Sequence, residues 1–292
     1  MVSIGIDVGG SGIRGATLFE GKLGPLQRAP LPDRSPETVV EAISALVTAL
    51  GEADHLGVAL PGFLSEGVVY GSPNFPGWSQ VPIRSLLSES TGFDVVLEND
   101  ANAAALGVWE KRGSREDLVL LTLGTGVGGG VVSGGQLLRG TAGLGGELGH
   151  IFVGGERACG CGGKGCLETW ICDAGLVAAS MEQGKNPENG LAVVDAARAG
   201  ERWAALVLQN AAKALGRGVV SLVNLFNPDV VILAGGLIQE RDLFSPVVEQ
   251  TLRDNGIPPS VDKVTLFWEG PADALAVRGV AALASGLSSA TS

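Results

Sequence analysis

Two apolar stretches, each interrupted by a cluster of glycines, constrain this chain more than any other feature. Val2 to Val8 is β-branched and apolar and runs into Gly9-Gly10-Ser11-Gly12, after which Arg14 to Phe19 reads as a second strand. The pattern restarts at Leu118 to Leu123, passes the glycine turn Gly124-Thr125-Gly126-Val127-Gly128-Gly129-Gly130 and resumes at Val131-Val132. Strand, glycine turn, strand is a hairpin signature. Its recurrence points to a duplicated architecture. Glycines at the turn let backbone N–H groups come close to an anion, although an ordinary hairpin turn has the same composition. The first cluster is neither GxGxxG nor a P-loop, since no Gly-Lys-Ser/Thr follows it.

Between and after the hairpins the periodicity alternates. Pro36 to Gly51 carries apolar residues at helical spacing, with Ser35 placed to cap and Pro36 at the first helical position. Short strands are predicted at Leu56 to Leu60, ending in Pro61-Gly62, and at Val95 to Leu97, ending in Glu98-Asn99-Asp100. A helix follows over Ala101 to Trp109. The charged run Glu110 to Asp117 breaks the apolar pattern and reads as a domain boundary. A long helix is predicted over Arg202 to Leu225, then a strand Val230 to Leu233 ending in Ala234-Gly235-Gly236, and a closing helix Ala272 to Leu287. Strands that end in glycine turns and lead into helices describe an α/β fold with ligands at the carboxyl ends of the strands.

Composition narrows the function classes. The 292 residues are 45% hydrophobic and 17% charged, which is a globular balance and not a disordered one. The net charge of −11 and pI near 4.7, with no basic cluster, disfavour nucleic acid and anionic membranes as partners. No stretch of about 18 apolar residues suggests a membrane span. The N-terminus lacks the pattern of a secretory signal, and the cysteines do not read as a secreted disulfide framework, so the expected location is the cytoplasm.

Chemistry concentrates in Gly146 to Glu168. His150, Cys159, Cys161 and Cys166 fall within this one segment, a full tetrahedral donor set for structural zinc, flanked by Glu147 and Glu168. Cys172 falls outside that spacing and reads as a small core residue, and His55 as a surface or edge residue. Asp100, at a strand end entering a helix, has the position of a general base toward a hydroxyl, while Asn and Asp there are also favoured N-caps. Ala234-Gly235-Gly236 suits close backbone approach to a flat group such as adenine or ribose.

In combination these segments resemble the ROK family of sugar kinases and sugar-responsive repressors, and within it the bacterial glucokinases. The resemblance is carried by IGIDVGGSGIRGA at 4–16, LPGF at 60–63, NFPGW at 74–78, ENDANAAALG at 98–107, LTLGTGVGGG at 121–130, GELGH at 146–150, CGCGGKGCLE at 159–168 and NLFNPDVVILAGG at 224–236, in family order over most of the chain. It implies an actin-like ATPase (ribonuclease H-like) fold of two α/β domains with a ligand cleft between them. Residues 1–112 with 272–292 would form a small domain and 113–271 a large one carrying the zinc knuckle, the region near Glu110 to Asp117 serving as part of a hinge. It also implies ATP- and Mg2+-dependent phosphorylation of a hexose, by a homodimer or homotetramer. Asp100 would be the base on the sugar 6-hydroxyl, and Asn74, Asn99, Glu147, His150 and Glu168 would hold the sugar. Asp7, Gly9, Gly10 and Ser11 would face the phosphates from one side and Gly124, Thr125 and Gly126 from the other, with Gly235 and Gly236 near the nucleoside. His150 would put one ring nitrogen on zinc and the other toward the sugar.

One departure stands out. The first loop of the family usually reads GGTK, whereas here it reads GGSGIR, similar to polyphosphate-using glucokinases that usually lack the zinc cysteines. ATP is the expected donor, with polyphosphate an open alternative. The family's repressors carry a helix-turn-helix ahead of the kinase-like body. Entry into the first strand at Val2 and the acidity of the chain set the expectation against a regulator. Intact Asp100 and glycine loops set it against a non-catalytic sugar sensor. Other hexoses and N-acetylhexosamines are the alternative substrates.

Overall fold

The computed structural model describes residues 1–10, 12–72, 74–113, 115–270 and 273–286, apart from the side chains of Ile238, Gln239 and Asp273. The candidate Ser11 lies outside the described residues, as do the expected ends of the closing helix at Ala272 and Leu287. The chain opens with β1 (Val2–Gly9), β2 (Gly12–Phe19), β3 (Lys22–Leu23), β4 (Gln27–Pro30), α1 (Pro36–Leu50), β5 (His55–Leu60), β6 (Phe63–Ser65), β7 (Val68–Gly71), α2 (Ile83–Thr91), β8 (Val95–Asn99) and α3 (Asp100–Lys111). It continues with β9 (Leu118–Leu123), β10 (Val127–Ser133), β11 (Gln136–Leu137), α4 (Glu168–Ile171), α5 (Asp173–Met181), α6 (Gly190–Arg198) and α7 (Arg202–Phe226). β12 (Val230–Ala234), α8 (Arg241–Asn255), α9 (Pro258–Val261), β13 (Thr265–Trp268) and α10 (Asp273–Ala284) complete it. Short 3-10 turns span Leu148–His150 and Gly236–Glu240.

These elements form two compact units. Met1–Asp117, Gly130–Gly146 and α10 make the first; Leu118–Gly129 and the chain from Glu147 through β13 make the second. The first sheet has the order β3-β2-β1-β5-β8, with β4 also on β2. β1 and β2 are an antiparallel hairpin closed by Gly9 opposite Gly12, and β1, β5 and β8 run parallel. The second sheet has the order β11-β10-β9-β12-β13, with β9, β12 and β13 parallel. Each sheet thus begins with strands joined by a glycine turn and continues into two parallel strands reached by crossovers. This is the repeated α/β arrangement of the actin-like ATPase (ribonuclease H-like) fold. The duplication suggested by the two glycine-broken hairpins is therefore present in the strand order.

Local signals explain the first unit. Ser35 Oγ accepts from Thr38 N at 3.2 Å, Pro36 occupies the first helical position, and α1 buries Val39, Ile43, Leu46 and Val47. That face packs with Ile4, Ile6 and Val8 of β1 and Val58 and Leu60 of β5 in one apolar core.

The closing helix depends on glycines instead. A Cβ on Gly5 would lie 2.1 Å from Val277 O, on Gly57 2.2 Å from Val280 O, and on Gly107 1.9 Å from Leu275 O. Gly279 faces Ala103 O, which a Cβ would approach to 1.8 Å. α10 is therefore pressed against two strands and α3 at backbone distance, a spacing that any side chain forbids. Arg278 fastens it further, through Glu110 Oε2 at 2.6 Å and Gly21 O at 2.9 Å.

Two sequence expectations change. The second glycine turn is shorter than the seven-residue cluster, because β10 starts at Val127 and keeps Gly128 to Gly130 in the strand. Close neighbours demand this: a Cβ on Gly129 would meet Leu148 at 2.7 Å, and one on Gly130 would meet Ala105 at 2.6 Å. The charged run also begins inside α3, which reaches Lys111, since Glu110 turns its carboxylate to Arg278. Gly279→Ala is expected to destabilise the protein by about 3 kcal/mol or more, because backbone faces the added methyl. Urea unfolding of the variant checks this, and a change below about 0.5 kcal/mol would contradict the close-packed α10.

Candidate active site

In the first unit, candidate residues gather at the carboxyl ends of the parallel strands, where ligands bind in open α/β sheets. Asp7 of β1 pairs in register with Ala59 of β5, and Ala59 with Glu98 of β8. Gly9 and Gly10, Pro61-Gly62 and Asn99-Asp100 therefore leave the sheet at the same end. Asp7 is buried, and Arg14 Nε lies 3.6 Å from it. Asn99 is the N-cap of α3. Its Oδ1 accepts from Ala101 N at 2.9 Å and Asn102 N at 3.2 Å, and its Nδ2 donates to Gly62 O at 3.3 Å.

Of the two residues that the sequence offers as caps, Asn99 takes the capping role and Asp100 does not. Asp100 is the first helical residue. Its Oδ1 accepts from Ala101 N at 2.9 Å. Burial pushes the Asp100 carboxyl above the usual carboxylate range, with backbone N–H bonds opposing that shift. Asn74 is exposed on a loop anchored from below. Phe75 and Trp78 are buried with ring centroids 4.9 Å apart, and Trp78 Nε1 donates to Arg34 O at 2.7 Å. The contacts of Asn74 are with Ser72 and Arg34.

In the second unit the glycine turn and the cysteine segment are one construction. Gly124 N donates to Gly126 O at 3.0 Å, leaving Thr125 exposed at the apex. On one side Asp173 N donates to Gly124 O at 3.2 Å. On the other, Val127 N donates to Glu168 Oε2 at 2.9 Å. A Cβ on Gly126 would sit 2.7 Å from that carboxylate, and one on Gly149 would sit 2.0 Å from Val127 O. The turn bearing His150 is thereby packed directly on the backbone at the start of β10. Gly235 follows β12, beside the end of β9, at φ +117°, and a Cβ there would lie 2.2 Å from Leu123 O. Gly236 has open space at the same position, so the two glycine segments lie at neighbouring strand ends.

The donor atoms of His150, Cys159, Cys161 and Cys166 all lie within 4.8 Å of one another. His150 Nδ1 is 3.5 Å from Cys159 Sγ, and Cys161 Sγ is 3.6 Å from Cys166 Sγ. Ligands of tetrahedral zinc stand about 3.6 to 3.8 Å apart, given the usual bond lengths. None of the cysteines is in a disulfide. Burial pushes the Cys166 thiol up to about 12, with both neighbouring thiols adding to the shift, and burial also raises Cys159, whereas backbone hydrogen bonding lowers the exposed Cys161. Three thiolates this close repel one another, and a dication relieves that repulsion, so the set fits zinc. His150 Nε2 points away from the thiols, 3.8 Å from Glu147 Oε2. Cys172 is buried, its Sγ accepting from Gly175 N, and His55 begins β5; neither joins the cluster.

Sequence reasoning gave no role to Glu98, Asn102 or Arg139, which form a bonded group beneath Asp100. Arg139 Nε donates to Glu98 Oε2 at 2.8 Å, and Asn102 Nδ2 to Glu98 Oε1 at 3.2 Å. A carboxylate at the end of an otherwise apolar strand was the available signal.

The raised pKa of Asp100 has a consequence for stability. A folded-state value above the unfolded one means that the native state holds more protons, so stability falls as pH rises through that window. Asp100→Asn removes this penalty. The variant is expected to melt higher than the parent at about pH 8 and to lose the advantage toward about pH 4. Thermal unfolding across that range checks it, and an equal or lower melting point at the upper end would contradict it.

Comparison with known proteins agrees with this arrangement. The ROK family model matches residues 3–286. The chain is 37% identical over 275 residues to the glucokinase of Thermotoga maritima, a match covering 85% of this chain and 86% of that protein. The ROK hexokinase from Thermus thermophilus superposes with a TM-score of 0.84 at 33% identity, over 98% of both chains. A ROK family glucokinase from Streptomyces griseus, solved in complex with glucose and AMPPNP, superposes with a TM-score of 0.79 at 28% identity, over 98% of this chain and 99% of that one. Residue order, strand order and these matches lead to one assignment: the chain belongs to the ROK family.

Proposed function

We propose that this chain is a glucokinase, transferring the γ-phosphoryl group of ATP to the 6-hydroxyl of glucose to give glucose 6-phosphate and ADP. The observation that carries the reading is the single construction in the second unit. An exposed glycine turn suited to phosphates is bonded through Val127 to a rigid knuckle that presents Glu147, His150 and Glu168. The similarity to glucokinases over most of the chain supports glucose as the acceptor and ATP as the donor.

Phosphoryl transfer to an alcohol needs positioning, charge neutralisation and a base. Asp100 takes the proton of the 6-hydroxyl on Oδ2; burial raises its proton affinity above that of an ordinary carboxylate, which strengthens it as a base. Asn74, Asn99, Glu147, His150 and Glu168 pair the remaining hydroxyls, and a site built this way rejects analogues lacking one. Backbone N–H groups at Gly9, Gly10, Thr125 and Gly126 receive the phosphates, with Gly124 closing the turn through its own N–H and Gly235 and Gly236 at the nucleoside. Mg2+, when bound near Asp7, supplies neutralisation of phosphate charge. Cys159, Cys161, Cys166 and His150 would hold zinc, which would supply a rigid anchor and fix the imidazole tautomer, leaving the other ring nitrogen of His150 for the sugar. No helix among the described residues is long and apolar enough to cross a membrane. Cytoplasmic location and a homodimer or homotetramer complete the reading.

A second donor has an observation of its own. Asp7, Arg14 and Arg28 are register partners across β1, β2 and β4, and Arg14 and Arg28 line a cavity of about 270 Å3 with Gly12 and Pro30. That row of guanidinium groups beside the first glycine loop favours inorganic polyphosphate as an alternative phosphoryl donor.

A coupled assay over a panel of hexoses, with ATP and with polyphosphate, tests both readings by kcat/KM; no product with any sugar would overturn the kinase assignment. In that assay Asp100→Ala should cut turnover by about 10²- to 10⁴-fold while calorimetry still detects glucose binding. Near-normal turnover would remove Asp100 from the base role. Metal analysis of the purified protein should give about one zinc per chain. Cys161→Ser should lower that content and weaken glucose affinity together; an unchanged affinity after zinc loss would separate the knuckle from sugar binding.

A further inference from the structure

We propose that Arg139 and Glu98 are a positioning pair that sets the aim of Asp100. The inference rests on the kinase reading, which gives Asp100 its task. Glu98 is buried, 5% exposed, at the end of β8 next to Leu97. A carboxylate in such surroundings persists only where it is paired and hydrogen-bonded. Its Oε1 accepts from Asn99 N at 3.0 Å and from Asn102 Nδ2 at 3.2 Å, and its Oε2 accepts from Arg139 Nε at 2.8 Å. The first two partners lie on either side of Asp100 in the chain. Glu98 therefore holds the residue before the base and the residue one half-turn after it.

Asn102 shows how strongly this group is determined. An ionised carboxylate only accepts, so the amide must turn Nδ2 toward Glu98. Its Oδ1 is then buried with no partner among the described residues. A buried acceptor left unmatched is unfavourable, and the charge-assisted bond to Glu98 offsets it. Without a cation on Glu98 that arrangement loses its support, and Arg139 provides the cation.

Arg139 also lies on the loop that closes the first unit before the chain reaches Glu147. Gly145 N donates to Arg139 O at 2.7 Å, and a Cβ on Gly143 would sit 2.8 Å from Leu64 O, so the loop is folded on itself and packed on β6. One ion pair thus joins the strand end bearing the proposed base to the 139–145 loop of the same unit.

The test uses the full-length protein with Arg139→Gln and Arg139→Lys. Small displacements of a reacting group are costly, so Arg139→Gln should lower kcat by about tenfold to a hundredfold while the KM for ATP stays within about twofold. Amide hydrogen exchange should accelerate at Asn99 to Ala103 and remain unchanged in α1. Arg139→Lys, which retains the charge, should recover part of both. A kcat within about twofold of the parent with unchanged exchange at the turn would falsify the proposal. Equal acceleration across α1 and the turn would overturn it as well, marking Arg139 as a general stabiliser. Should the parent phosphorylate no hexose, the kinase reading fails by itself, and exchange at Asn99 to Ala103 alone then decides the positioning pair.

Discussion

The peptide at Val127 carries much of the second unit. Its N–H holds Glu168, and its carbonyl faces Gly149 at a distance that no side chain would permit. Through this one residue the exposed glycine turn, the 3-10 turn with His150 and the cysteine segment share a common reference. A metal knuckle alone would fix its own ligands relative to one another. Contact with Val127 also fixes Glu168 and the turn bearing His150 relative to the turn proposed for phosphates. Preorganisation of this kind lets a site hold a polar ligand without reorganising at each turnover.

The first unit solves a matching problem with different means. Its strand ends are aligned by sheet register, and the β8–α3 junction is tied by Asn99 and Glu98. Helix α10 then lies against that sheet and α3 through four glycines. A side chain at any of these would push the helix away from the scaffold beneath Asp100. Glycine usage here thus has two distinct causes. In the turns it leaves backbone N–H groups accessible, and in the α10 contacts it permits backbone to meet backbone. Composition alone does not separate the two.

Most elements that the sequence exposes are those with local causes. Ser35 and Pro36 start α1 as their side chains dictate, and Leu118 to Leu123 has the same ends in the structure as in the pattern. The metal donors are legible because zinc chemistry demands a recognisable residue set within reach of one ion. Where the reading fell short, a distant neighbour decides. Gly128 to Gly130 look like turn residues, yet they are strand because Leu148 and Ala105 occupy the space their side chains would need. Glu110 looks like the start of a linker, yet it is helical because Arg278 arrives from the far end of the chain.

Determined by the sequence alone are the two glycine-broken hairpins, the α/β alternation, the cluster of one histidine and three cysteines, and the place of Asp100 where a strand gives way to a helix. Each follows from residues near one another in the chain or from chemistry that few residue types can supply. Tertiary structure decided that Asn99 caps α3, held by a hydrogen bond to Gly62, and that Asp100 follows it as a half-buried first helical residue. It also decided that Glu98, Asn102 and Arg139 form one group beneath the base. A buried carboxylate needs partners, but only the folded chain determines which arginine arrives.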